Sequence, residues 1–136
     1  MKKGLFAVRC AVCFGVFIAY IALIIIMKSA GGALWGMIPL AFMPLFAAVF
    51  SFFYSRSLYG KGESGVVSVV IPALGLIAAG LLHFIADTAV NGFGYGMDSL
   101  IYDLAVLASG VIGGAAGVRS RIIFDNRKKR RNRFDD

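Results

Sequence analysis

No charged side chain interrupts residues 33–54, which read ALWGMIPLAFMPLFAAVFSFFY. A helix rises about 1.5 Å per residue, so a stretch of this length reaches across a hydrocarbon layer of about 30 Å. A membrane-spanning β-strand would instead alternate polar and apolar residues over roughly ten positions, and this stretch does not alternate. The segment therefore predicts a transmembrane helix.

Three other segments have the same character. They are residues 10–27, which carry no charge, residues 66–86, whose one titratable group is His83, and residues 100–118, whose one acid is Asp103. We therefore predict an all-α, polytopic integral membrane protein with four transmembrane helices arranged as two antiparallel hairpins. Residues 1–118 form the transmembrane domain, and residues 119–136 form a basic cytoplasmic tail.

The composition of the whole chain agrees with this class. Of its 136 residues 60% are hydrophobic and 15% are charged, and the mean hydropathy is +0.84. Soluble domains are nearer half apolar and one quarter charged. A soluble protein this small lacks the polar surface to cover so much apolar surface. The composition excludes soluble enzymes and free nucleic-acid-binding domains, despite a net charge of +7.

The positions of the basic residues predict the orientation. With a cytoplasmic N-terminus, only Lys28 of the 14 Lys and Arg residues lies outside, as the positive-inside rule requires. Trp35 and Tyr102 then lie near the outer interface. We expect a multi-pass protein of a prokaryotic inner or plasma membrane with both termini in the cytoplasm. The alternative is that Lys2, Lys3 and the first apolar run form a secretory signal peptide, which would leave three spans.

The segments between the predicted spans are short. Residues 28–32 form a tight turn, while residues 55–65 and 87–98 are rich in glycine and are predicted to be loops. None of them is long enough to hold a soluble catalytic domain, so any chemistry must take place within the membrane or at its surfaces. Because the sequence has no catalytic constellation, we expect that the protein is not an enzyme; a membrane-embedded enzyme is the third alternative.

Small residues predict close helix packing. Residues 110–117 read GVIGGAAG and contain two overlapping GxxxG spacings, Gly110 with Gly114 and Gly113 with Gly117. In lipid, helices associate through close van der Waals approach, which small residues permit. The partner helix is not defined by the sequence. The third span has its own small face at Gly75 and Ala79.

Titratable residues follow these small faces toward the outer boundary. If the faces of the third and fourth spans meet, His83 and Asp103 lie at similar depth and face each other, with Asp87 and Asp98 nearby. The pair can be structural, holding helix register, or it can relay protons or bind a cation. A single histidine does not support a metal site, and we predict no cofactor.

Two further features have simple structural interpretations. Cys10 and Cys13 form a CxxC pair without the surroundings of a redox or zinc site, so they are predicted to be small apolar fillers. Pro39, Pro44 and Pro72 free backbone carbonyls inside the spans and are expected to bend them.

The tail is strongly basic. Eight cationic residues are expected to contact anionic lipid headgroups and to fix the topology: Arg119, Arg121, Arg127, Lys128, Lys129, Arg130, Arg131 and Arg133. A protein partner is an alternative. Nucleic acid is not expected, because the tail lacks interleaved aromatic residues and a recognisable binding fold.

The leading functional hypothesis is an accessory or scaffold subunit of a membrane complex, either as a homo-oligomer or in a larger assembly. A four-helix bundle is small to enclose a pathway alone. The alternative is a small oligomeric channel or transporter for a proton, cation or small solute, with the His83 and Asp103 cluster near its outer entrance.

Overall fold

Four α-helices form the part of the chain that the structure describes. The computed structural model describes residues 3–135, apart from the side chains of Lys28, Ala33, Trp35, Gly36, Tyr95 and Asp135. The predictions for Lys2, for Lys28 and for Trp35 therefore lie outside the described residues. The helices are α1 (Lys3–Gly31), α2 (Ala33–Gly60), α3 (Gly65–Asn91) and α4 (Phe93–Asp135).

All four helices are long and apolar enough to cross a membrane, which confirms the four-helix prediction and indicates a multi-pass membrane protein. Each helix is longer than the apolar segment predicted within it. The regular backbone continues past the uncharged run because its N–H and C=O groups remain paired there.

The connections between helices are much shorter than predicted. Single glycines, Gly32 and Gly92, separate α1 from α2 and α3 from α4, with φ angles of 81° and 92°. Glycine adopts this left-handed region without a steric penalty, so one residue can turn the chain. The predicted loop over residues 87–98 is therefore wrong, because it is helical except at Gly92. Between α2 and α3 only residues 61–64 are not helical.

The serine before α3 explains where that helix begins. The Ser64 hydroxyl accepts a hydrogen bond from the backbone N–H of Val67 at 3.2 Å. This is the usual contact of a serine N-cap, which satisfies one of the free donors of the first turn.

Each helix packs against two or three others. α4 packs against α2 and α3, and α1 packs against the same two helices. The core between them contains Phe17 of α1, Met43 of α2, Ile71 and Leu76 of α3, and Val106 of α4, all nearly inaccessible to solvent.

Aromatic rings join α1 to α2. Phe17 meets Phe46 and Phe50 edge to face, with ring centroids 6.2 and 5.3 Å apart. Tyr20 stacks on Phe46 at 4.4 Å. Aromatic pairs prefer such offset and edge-to-face arrangements because of their quadrupoles.

The glycines of α4 bring this helix against the backbone of α2. A β-carbon at Gly113 would lie 2.7 Å from the Cα of Ala48, and one at Gly117 would lie 2.9 Å from the carbonyl carbon of Phe52. Both distances are shorter than a normal carbon–carbon contact of about 3.5 Å. The helix partner that the sequence left undefined is therefore α2 at these two positions.

The other two glycines of this motif lie between α2 and α3. A β-carbon at Gly114 would lie 2.9 Å from the Ser55 hydroxyl and 3.4 Å from Val69, and one at Gly110 would overlap the Leu76 side chain. The glycines of this motif therefore allow α4 to approach both α2 and α3 closely.

The small face of α3 approaches α1 at Gly75. At Gly75 a β-carbon would lie 2.6 Å from the Cβ of Cys13, so this glycine accommodates α1. Ala79 is buried in the core. Helix α3 contacts both α1 and α4, and the sequence pattern alone does not distinguish the two partners.

The basic tail is a continuation of α4. The sequence after Gly117 has neither glycine nor proline, so nothing in it interrupts the helix. Arg121 forms an ion pair with Asp125 one turn later, at 3.2 Å. The helix has 43 residues and is therefore about 64 Å long, roughly twice the hydrocarbon thickness.

Candidate functional site

His83 of α3 and Asp103 of α4 are in direct contact. The Nδ1 atom of the imidazole lies 3.1 Å from both carboxylate oxygens. The side chains are 29% and 11% exposed, respectively. Gly80, one turn before His83, lies beside Asp103, since a β-carbon there would be 3.4 Å from the Cβ of Asp103. With a proton on Nδ1, the imidazole donates to the carboxylate.

Asp87 lies one turn beyond His83 and is also hydrogen-bonded. One carboxylate oxygen accepts from the Asn91 amide at 2.5 Å, and the other accepts from the Ser99 hydroxyl of α4. Asp98 is exposed and makes no hydrogen bond with any residue between 3 and 135. Of the four titratable residues predicted for this site, the structure joins His83 to Asp103 and places Asp87 next to them along α3.

The carbonyl group freed by Pro44 receives a hydrogen bond from another helix. Proline has no N–H, so the carbonyl oxygen four residues earlier, at Leu40, lacks its helical partner. The Tyr102 hydroxyl of α4 donates to this oxygen. Close by, the Tyr20 hydroxyl of α1 donates to the Pro39 carbonyl at 2.7 Å. Two tyrosines therefore connect α1 and α4 to the proline-containing part of α2.

The same arrangement occurs at Pro72 of α3. Its missing N–H frees the carbonyl of Ser68, and the Ser55 hydroxyl of α2 donates to that oxygen at 2.8 Å. Both serines are fully buried. Ser51, one turn before Ser55, is buried beside Gly110, and its hydroxyl has no hydrogen-bond partner within the described part of the chain. The sequence predicts the freed carbonyls, but not the hydroxyl groups that satisfy them.

An ion pair at the other end of the bundle was missed by the sequence reasoning. Arg9 of α1 contacts Glu63, between α2 and α3, at 2.5 Å, and the two side chains are 15% and 18% exposed. The Tyr54 hydroxyl donates to the Arg9 carbonyl at 3.4 Å. Glu63 is the single glutamate of the chain. A single acid in a short connection, close to the basic residues at the ends of the spans, was the signal in the sequence that could have predicted this ion pair.

A second polar cluster at this end joins α2 to α4. The Arg56 guanidinium donates to the Ser120 hydroxyl at 2.8 Å. The guanidinium groups of Arg56 and Arg121 lie 5.9 and 5.7 Å from the centre of the Phe124 ring. The contact of Arg56 with Phe124 joins α2 to α4, and a cation–π contact at this distance adds to the attraction between the two helices.

The remaining cations of the tail are exposed. Arg121 is half-buried, whereas the others are open to solvent: Arg119, Arg127, Lys128, Lys129, Arg130, Arg131 and Arg133. Asp125, four residues after Arg121, is engaged by that arginine. The basic side chains from residue 127 onward surround the helix instead of occupying one face, because consecutive residues are about 100° apart.

The cysteines are unpaired thiols. Cys13 is fully buried against Gly75 and Cys10 is partly buried. Among the residues that the structure describes, no group of three His, Cys, Asp or Glu side chains is placed to hold a metal ion.

The chemistry available to the His83 and Asp103 pair is proton exchange between imidazole and carboxylate, or the holding of a cation by the carboxylate oxygens. No protein family, curated protein or solved structure matches the chain. Any functional role assigned to these residues therefore rests on the contacts of this molecule alone.

Proposed function

We propose that the chain lies in a prokaryotic inner or plasma membrane as two antiparallel hairpins with both termini in the cytoplasm. The distribution of basic residues supports this orientation. The contacts of Tyr54 with Arg9 and of His83 with Asp103 support the pairing, because the start of one helix of each pair lies beside the end of the other. Protease-accessible tags at the two termini should both be cleaved from the cytoplasmic side. Cleavage from opposite sides would refute the topology.

We propose that the protein is an accessory or scaffold subunit of a membrane complex, as a homo-oligomer or in a larger assembly. The observation that carries this proposal is the close packing of the helices. Glycines of α4 contact the backbone of α2, and the Ser55 and Tyr102 hydroxyls donate to carbonyls of neighbouring helices. The outer faces of the helices, in contrast, present large apolar side chains that a partner helix can cover.

Site-specific photo-crosslinking in native membranes tests this proposal. A photoreactive residue is placed at Ile26, Phe53 or Ile112, which are 63%, 64% and 70% exposed on three different helices. Phe17, which is fully buried, provides the matched control. We expect at least one exposed position to give a defined protein adduct that the control lacks. If all exposed positions leave only the 14.5 kDa monomer, the scaffold role is wrong.

The tail is proposed to contact anionic headgroups through its eight basic residues, without a role in nucleic-acid binding. Their exposure supports this proposal, since cations near a charged membrane surface gain about 1 kcal/mol each. Flotation with vesicles containing or lacking phosphatidylglycerol, using the detergent-purified chain, should show retention that falls as salt rises.

A second candidate function, a proton or cation channel or transporter, is favoured by the contact between His83 and Asp103. Ionisable side chains inside a span are costly, and they are therefore candidates for ion or proton pathways. Here the imidazole can hold a proton at Nδ1 and pass it to the carboxylate 3.1 Å away. Asp87 is one helical turn further on.

Proton flux into liposomes separates this candidate from the scaffold role. The purified chain is reconstituted with a pH-sensitive dye, and the His83→Gln and Asp103→Asn variants are compared with it. Asp98→Asn is the matched control, because Asp98 is exposed and outside the cluster. Flux that is lost in the two cluster variants and kept in the control supports the transporter. Flux no greater than that of protein-free liposomes argues against it.

A further inference from the structure

An apolar groove lies between α3 and α4 at the end of the bundle where α3 begins. Its volume is about 390 Å³, within the range of small-molecule sites in proteins. Its lining includes Val66, Val69 and Val70 from α3 and Ala115, Val118 and Arg119 from α4. The groove is therefore open to the surface and lined by apolar side chains, and Arg119 is the one charged residue of its lining.

Arg119 differs from the other arginines near this end. Arg9 is paired with an acid, Arg56 donates to a serine, and Arg121 has both an acid and an aromatic ring. Arg119 is exposed and has no hydrogen bond or ion pair among the described residues. Its guanidinium therefore keeps its planar set of donors available, and this geometry suits a phosphate group.

We propose that this groove binds an anionic phospholipid, with one acyl chain against the valines of α3 and the phosphate on Arg119. Arg119 directly follows the last apolar residue of the span, which is where headgroups begin. The inference rests on this end of α3 and α4 lying at a membrane surface. It does not depend on the scaffold role.

A second copy of the chain is a poorer occupant of the groove. A symmetric contact on this face would bring two tails together, each with eight basic and three acidic residues. Like charges held close together repel, whereas an anionic headgroup complements both Arg119 and the cations that follow it. Charge complementarity therefore selects the lipid.

Native mass spectrometry of the detergent-purified chain tests the site. Phosphatidylglycerol or phosphatidylcholine is titrated in, and the first bound lipid is counted for each variant. Arg119→Gln removes the proposed phosphate contact, and Arg127→Gln is a control with the same charge change on an exposed part of the same helix. Ala115→Phe fills the groove, and Ala116→Phe is its control, exposed but outside the lining.

We expect Arg119→Gln to weaken phosphatidylglycerol binding about tenfold and to leave phosphatidylcholine binding nearly unchanged, because one charge-assisted contact is lost. Ala115→Phe should weaken both lipids, and the two controls should bind as the unmodified chain does. Val70→Phe fills the same groove from α3 if Ala115→Phe does not fold. Inorganic phosphate at the same concentration should not compete, because it lacks the acyl chain.

Three results would overturn the proposal. Equal losses in Arg119→Gln and Arg127→Gln would assign the binding to the general charge of the tail. Equal behaviour of Ala115→Phe and Ala116→Phe would show that the groove is not occupied. A protein dimer that disappears in Ala115→Phe would make a second copy the occupant. These lipid-binding results would keep their meaning if the scaffold proposal were wrong, because the measurement uses the isolated chain.

Discussion

Replacing Gly113 with alanine tests the contact between α2 and α4. The added β-carbon would lie 2.7 Å from both the Cα and the carbonyl carbon of Ala48. Non-bonded carbon atoms are normally about 3.5–4.0 Å apart, so the two helices must separate by about 1 Å at this level. The obstacle is backbone, which cannot rotate away as a side chain can.

The expected net effect combines two terms of opposite sign. Overpacking of this kind costs about 1–3 kcal/mol, and alanine in place of glycine favours the helix by up to about 1 kcal/mol. We expect Gly113→Ala to lower the free energy of unfolding by about 1 kcal/mol. For a chain of this size that loss lowers the melting temperature by about 3–6 °C.

Cys13 supplies the assay, because it is fully buried in the folded chain. In a Cys10→Ser background it is the single thiol, and its reaction with a fluorogenic maleimide during heating in detergent reports unfolding. Gly15→Ala is the matched control, since a β-carbon at Gly15 has no neighbour within 4 Å. The control should melt at the same or a higher temperature. If Gly113→Ala behaves like Gly15→Ala, the close approach of α2 and α4 is refuted.

The remaining predictions use the same assay. Tyr102→Phe should lower the free energy of unfolding by about 0.6–2 kcal/mol, because the carbonyl freed in α2 at Leu40 loses its donor. Ser55→Ala should have an effect of similar size; no change in either variant would show that these bonds do not hold the helices. Arg9→Gln and Glu63→Gln should each destabilise the protein, and the double variant should lose about 1–3 kcal/mol less than the sum. Strictly additive losses would exclude a direct ion pair.

The sequence was sufficient to predict the number and type of elements, because lipid requires long uncharged runs whose backbone is paired internally. The similar depth of His83 and Asp103 also follows from the helical rise of each span. That the two side chains face each other was predicted only on the condition that the faces of α3 and α4 meet, and the structure brings them into contact.

Other features depended on which helices are neighbours, and the sequence did not contain that information. The motif from Gly110 to Gly117 predicts a close contact, but α2 and α3 are equally apolar candidates for its partner. The sequence does not show which helix Gly75 faces, and in the structure it packs against α1. The bond from Ser55 to the carbonyl freed by Pro72 joins two residues whose proximity arises only in the assembled bundle.

Helix α4 continues without a break from the bundle into the tail, so a movement of the tail is transmitted to the bundle. From Arg119 to Arg133 the helix advances about 21 Å, so tilting it by 10° moves the last basic turn sideways by about 4 Å. A force on that turn, from any anionic surface that captures it, acts back along the same rod on the Gly113 contact with Ala48. A displacement of the tail can thus change the contact between α2 and α4, and no loop has to move.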